Sequence, residues 1–153
     1  MTASIVYSSL YNSDGTPLAG RPVNSAQAAD LDVVSYTVAT TSSDEAGDVV
    51  HLIPVPTGKR IAALAWRGDA LDSDGALDMD IVLRTTDSDG NHTDTILYNA
   101  GTAFAGALSN QFRVINLVQV PTDGDNVGSI ALYVNTGGGS ADAGDINLIA
   151  FWR

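Results

Sequence analysis

The strongest constraint on this chain is a succession of short β-branched segments, each cut off by Gly, Asp or Pro, that runs to its last residues. Residues 34–40, 48–53, 59–67, 77–85, 94–98, 112–120, 129–135 and 145–152 each read as a strand, about eight in all. In the fourth, Met79, Ile81 and Leu83 alternate with Asp78, Asp80 and Arg84, the period of a half-buried strand. Pro54 and Pro56 mark the end of the second, because proline donates nothing to a ladder. No amphipathic helix is visible, and residues 102–108 fit at most one short turn. Short strands with turn chemistry between them predict an all-β antiparallel β-sandwich, jelly-roll-like, with residues 99–111 as the crossing loop of a Greek key.

The final strand is the most informative. From Ile146 to Trp152 it is apolar on both faces, with only Asn147 interrupting. Such a strand is buried twice, between sheets or beneath a partner. Ile149, Ala150, Phe151 and Trp152 are therefore where the sandwich interior is expected to meet a subunit interface, with Ile149, Phe151 and Trp152 as the candidate interface residues. Residues 1–32 differ from the rest. Asn12-Ser13-Asp14-Gly15, Pro17, Gly20 and Pro22 break any period, which predicts an irregular N-terminal arm ahead of a β-sandwich domain over 33–153.

A length of 153 residues suits one domain with its own core. The chain has no Cys, which removes disulfides, zinc–thiolate sites and a cysteine nucleophile together. Its net charge of −11 argues against nucleic acid and anionic membranes as partners. The acids are nearly all Asp, Glu45 being the one Glu, and Asp favours turns. The N-terminus lacks the basic start and apolar stretch of a signal peptide, and an intracellular location is expected.

A search for chemistry returns little. Asp72-Ser73-Asp74-Gly75 and Asp87-Ser88-Asp89-Gly90 look like parts of a calcium loop, as do Ser13-Asp14-Gly15 and Thr122-Asp123-Gly124-Asp125. None has the further ligand steps and closing Glu of an EF-hand, and Asp-Gly is a favoured hairpin turn, so turns are the preferred reading. His51 sits mid-strand and His92 in a turn, neither at ligand spacing with an acid. Asp78 and Asp80 share a strand face about 7 Å apart. With Asp72 and Asp74 they read as a solvated acidic face. Trp66 and Trp152 are core or interface residues, and Gly137-Gly138-Gly139 is a hairpin tip rather than a phosphate loop. No G-x-S-x-G or S-x-x-K motif is present. No catalytic, cofactor-binding or metal-ligating residues are assigned, and no enzyme is expected.

Pro56-Thr57-Gly58-Lys59-Arg60-Ile61 leading into a strand resembles small jelly-roll virion proteins of tailed bacteriophages. So does the ending Ile130-Ala131-Leu132-Tyr133-Val134, then Ala141-Asp142-Ala143-Gly144-Asp145-Ile146 and a last apolar strand. The resemblance covers residues 49–153. It implies a non-enzymatic capsid decoration (cement) protein, a homo-oligomer with the trimer favoured, that bridges subunits of the phage major capsid protein. It also implies assembly in the host cytoplasm and a place in the virion, with the irregular arm reaching the shell. A tail or fibre module that binds host glycan would use the same fold, as would a bacterial β-sandwich binding module.

Overall fold

A computed structural model of the chain describes residues 5–7, 32–39, 46–72, 75–120, 127–136 and 144–153. The described elements are β1 (Ile5–Tyr7), β2 (Asp32–Ala39), β3 (Val49–Val55), β4 (Arg60–Gly68), β5 (Asp78–Thr86) and β6 (His92–Gly101), then a 3-10 turn at Thr102–Ala105, β7 (Leu108–Gln119), β8 (Val127–Thr136) and β9 (Asp145–Trp152). They form a five-stranded sheet in the order β1-β3-β8-β5-β6 and a four-stranded sheet in the order β2-β9-β4-β7.

The pairing has a simple logic. β5 pairs with β6, β4 with β7, β3 with β8 and β2 with β9, all antiparallel. The eight strands from β2 to β9 are thus one long hairpin, rolled up so that β9 also meets β4 and β8 also meets β5. This nesting is a jelly roll, and these eight strands are those the sequence period announces. The ninth, β1, runs parallel to Val49–His51 of β3. It lies in the stretch expected as an irregular arm; the other residues of that stretch, Asp32 excepted, fall outside the described ones.

The core fills the space between the sheets. Val50, Leu52, Ile53, Ile61, Leu64, Trp66, Met79, Ile81, Leu83, Ile130, Leu132, Val134, Ile146, Leu148, Ala150 and Trp152 are buried there. Two of these sets break strict alternation, and each break sits at a bulge. The register shifts between His51 and Ile53, so that adjacent Leu52 and Ile53 both join the core. A second shift between Ile61 and Ala63 changes the inward set of β4 from Ile61 to Leu64 and Trp66. The end of β9 is tied down by paired backbone bonds, Arg60 N–H to Arg153 O at 2.8 Å and Arg153 N–H to Arg60 O at 3.1 Å. Where β3 passes β8 the sheets close tightly around Gly128. A Cβ there would stand 2.6 Å from Val120 Cγ2 and 2.9 Å from the Val55 carbonyl oxygen.

Three expectations are corrected. β3 continues through Pro54 to Val55. Its neighbour β1 reaches only as far as His51, so the missing N–H of Pro54 breaks no described ladder on that side. The crossing loop expected over 99–111 is short, because β6 runs on to Gly101 and β7 begins at Leu108. Phe104, fully buried, anchors the 3-10 turn between them, and its carbonyl accepts from Leu71 N–H at 3.2 Å. Finally, β5 is buried on both faces, since Asp80, Val82 and Arg84 are as enclosed as Met79, Ile81 and Leu83.

Trp152 is the largest fully buried side chain of the closing strand. Replacing Trp152 with Ala is expected to cost about 3–5 kcal/mol. Urea unfolding curves of the two proteins measure it, with the loss visible as a lower midpoint at unchanged slope.

Candidate functional site

Among the described residues, the outer face of the four-stranded sheet has an apolar centre. In β4, Ala63 and Ala65 stand opposite Val114 and Phe112 of β7 on one side and Phe151 and Ile149 of β9 on the other. The two alanines carry only methyl groups, so they form a low floor over which the flanking rings meet. Phe112 and Phe151 make an edge-to-face contact with centroids 6.2 Å apart. Phe112 is nevertheless 60% exposed and Val114 77% exposed. Beside them a shallow groove is lined by Ala65, Arg67, Gln111, Asn147 and Ile149. Contiguous exposed apolar surface of this kind marks an interaction site more often than it marks a solvent face.

Cations frame this face. Lys59, Arg60, Arg67 and Arg153, four of the seven basic residues of the chain, belong to β4 or to the residues flanking β4 and β9. Lys59, Arg60 and Arg153 gather at one end with Gly58 and Gln119 around an open depression. Arg60 Nε donates to Gln119 Oε1 at 3.1 Å, and Gln119 Nε2 donates to the Gly58 carbonyl at 3.2 Å. Arg113 faces the other way and lies 5.0 Å from the Tyr98 ring centroid, at the open edge of the sandwich.

The structure divides the candidate interface residues. Ile149 and Phe151 are half-buried on the outer face, whereas Trp152 and Ala150 point into the core. Phe112 and Val114 belong to the same face and were not singled out from the sequence. Their alternation with Arg113 signals a shared face but does not say which face is wet.

The outer face of the five-stranded sheet is different: it is polar and largely buried. Val49, Val82 and Ala131 form a second small apolar cluster with Tyr133 packed on it. Around it, Arg84 makes a two-pronged ion pair with Asp94, Nε to Oδ1 at 2.7 Å and Nη2 to Oδ2 at 2.6 Å, and stands 5.9 Å from the Tyr133 ring centroid. His51 Nδ1 lies 2.8 Å from Ser129 Oγ. A Ser–His contact is the beginning of a nucleophile–base pair, but both residues are buried in the sheet, and here it serves to satisfy two enclosed polar groups. Burial, and next the positive charge of Arg84, push the His51 pKa from 6.5 down to about 4.

The acidic patch is less wet than expected. Asp72 and Asp80 are buried, and Asp72 Oδ2 accepts from Leu77 N–H at 2.8 Å. Asn135 Nδ2 bridges Asp78 Oδ1 at 3.1 Å and Asp80 Oδ2 at 2.9 Å. Among the described residues, no group of three His, Asp or Glu side chains is placed to hold a metal ion. At Asp87-Ser88-Asp89-Gly90 the carboxylate works on the chain itself. Asp87 Oδ1 accepts from the N–H groups of Asp89 at 3.0 Å and Asn91 at 2.8 Å, with Gly90 at φ 83°. The Asn91 side chain, and then these backbone donors, hold the Asp87 carboxyl below the usual range. That is hairpin-turn chemistry, as preferred from the sequence. The turns at 13–15 and 122–125 lie outside the described residues, as does the Gly137-Gly138-Gly139 tip.

No protein-family model matches the chain, and no curated protein sequence matches it. Solved structures do match in shape. A chain of the capsid of Ralstonia phage GP4 superposes with a TM-score of 0.62 at 16% identity, over 97% of this chain and 97% of that one. A chain of the cyanophage Pam1 capsid asymmetric unit gives a TM-score of 0.56 at 18% identity, over 92% and 95%. At such identities the likeness is one of fold.

His51 generates a pH dependence with a definite sign. Its folded-state pKa lies below its unfolded one, so the unfolded chain binds the extra proton first as pH falls. Its contribution is fully present above pH 6.5 and is lost between 6.5 and about 4. The loss is on the order of 3 kcal/mol. Urea midpoints measured across this range for the native protein and for His51→Gln are expected to converge toward low pH.

Proposed function

We propose that this chain is a non-enzymatic structural protein of a phage virion, of the capsid decoration or cement type. It is assembled into the particle in the host cytoplasm and works by bridging major capsid subunits as a homo-oligomer, with a trimer as the favoured state. The observation that carries this reading is the nearly complete mutual coverage with chains from two phage capsids. The match spans nearly all of this chain and nearly all of theirs. The exposed apolar face of β4, β7 and β9 supplies the physical means: a surface that gains by leaving water. Binding is the only action this reading requires. The glycan-binding alternative gains no support, because Trp66 and Trp152, which could have formed a sugar platform, are buried in the core.

The purified chain is expected to co-sediment with empty shells of the major capsid protein encoded near its own gene, and to raise their melting temperature. Phe112→Ser combined with Val114→Ser is expected to weaken that binding at least tenfold. Because both side chains are exposed, the same change is expected to shift the chain's own stability by no more than about 0.5 kcal/mol. A chain that stays in the supernatant at every concentration would overturn the reading.

A further inference from the structure

We infer that the apolar face receives a second copy of this chain, which presents its β5–β6 hairpin to it. The inference rests on the reading of that face as an interface and adds the identity of its occupant: the copies join through this face, and the joined copies meet the shell, so losing Phe112 and Val114 weakens shell capture through loss of the oligomer. Among the described residues three large hydrophobic side chains are exposed: Phe112 at 60%, Val114 at 77% and Ile96 at 57%. The first two lie on the outer face of the four-stranded sheet. Ile96 lies on β6, at the edge of the other sheet, opposite Val82 on that sheet's outward side. One copy cannot cover Ile96 with Phe112. Two copies can, and a single contact then removes all three from water.

Charge selects the same pairing. The chain carries −11 overall, yet Lys59, Arg60 and Arg153 cluster at one end of the apolar face. The hairpin tip carries Asp87 and Asp89, both exposed, on a turn stiffened by hydrogen bonds from Asp89, Asn91 and Gly90. The spacing agrees as well. Arg60 lies about 13–16 Å along β4 from Ala65, the residue opposite Phe112, the lower figure allowing for the bulge at Ile61–Ala63. Asn91 at the tip lies about 16 Å along β6 from Ile96. A hairpin laid on the face with its tip toward Arg60 therefore sets acids on cations and Ile96 on Phe112 together. From His92 to Ile96 the residues of β6 are exposed, with Asp94 held by Arg84 and His92 by Thr86 of the same copy, which leaves the Ile96 side chain as the uncovered apolar group of that strand. A face-to-face pairing of two four-stranded sheets would leave Ile96 in water.

The hairpin and the face are different patches, so each copy gives one and receives another. Such a heterologous contact closes into a ring or extends as a lattice, which suits a shell component. Rim charges of this kind set register and encounter rate, while the apolar anchors hold the contact.

The absence of Cys makes the test clean. Ile96→Cys and Phe112→Cys are each the only thiol in their chain, at exposed positions that leave the core intact. Mixed and oxidised, they are expected to yield the mixed disulfide as the main product, with few homodimers of either. Charge reversal gives a second readout by light scattering. Asp87→Lys with Asp89→Lys, and Arg60→Glu with Arg153→Glu, are each expected to weaken self-association about tenfold. Mixing the two variants is expected to restore it. Dominant Phe112→Cys homodimers would overturn the pairing in favour of a face-to-face dimer, and absence of any cross-link would overturn it outright. Shell binding separates the two levels. If shells still capture the chain, only the hairpin pairing falls; if they do not, the reading of the face as an interface falls with it.

Discussion

Everything in this molecule depends on one constraint, the nesting of strand pairs that joins β2 to β9 and leaves β5 and β6 at the centre of the chain. Only β5 and β6 are neighbours in sequence. The other pairs must find one another across long stretches of chain, so their loop-closure entropy is lost before any contact rewards it. β9 is the hinge of this arrangement because it pairs on both edges, with β2 and with β4. Its inward side chains Ile146, Leu148, Ala150 and Trp152 complete the core laid down by β3, β5 and β8. Hydrogen bonding and burial therefore become complete at the same place.

The two sheets then treat their outer faces in opposite ways. The five-stranded sheet hides a polar set, Asp80, Arg84, His51 and Ser129, around a small apolar cluster. Most of these groups are satisfied by short bonds; Asp80 Oδ1 is the buried side-chain atom left without a hydrogen-bond partner among the described residues. The four-stranded sheet instead leaves phenylalanine and valine in water, with Arg67 by the adjoining groove and Arg60 and Arg153 at one end. Satisfied polar groups hold a structure together without inviting a partner. Uncovered apolar ones favour association, which is why the second face and not the first is the candidate interface.

The fold was legible because strand period and turn chemistry agree. Eight expected strands correspond to β2 through β9, and Asp87-Ser88-Asp89-Gly90 turns as its composition says. Boundaries were less legible. Pro54 signals a strand end by its missing N–H, yet β3 runs on through it to Val55, with Pro54 in register with Ser129 of β8. Residues 99–101 and 108–111 read as loop from their small and polar side chains, yet both extend strands. Asp80 reads as wet from its chemistry, and it is buried because β5 is a central strand covered on both faces.

The candidate face shows the same division most clearly. The sequence by itself determined a sandwich of about eight strands that ends on a doubly apolar strand, along with the absence of thiol chemistry and the acidic surface. It also determined that Phe112 and Val114 share a side, since successive side chains alternate. Which side meets water was decided by tertiary structure alone. A one-residue change of register exchanges the two faces of a strand, and the shift at Ile61–Ala63 sets the register of β4 against both β7 and β9. The same register turns Trp152 inward and leaves Ile149 and Phe151 outside. Local chemistry can specify a strand's two faces, but only its partners determine which of them remains for another molecule.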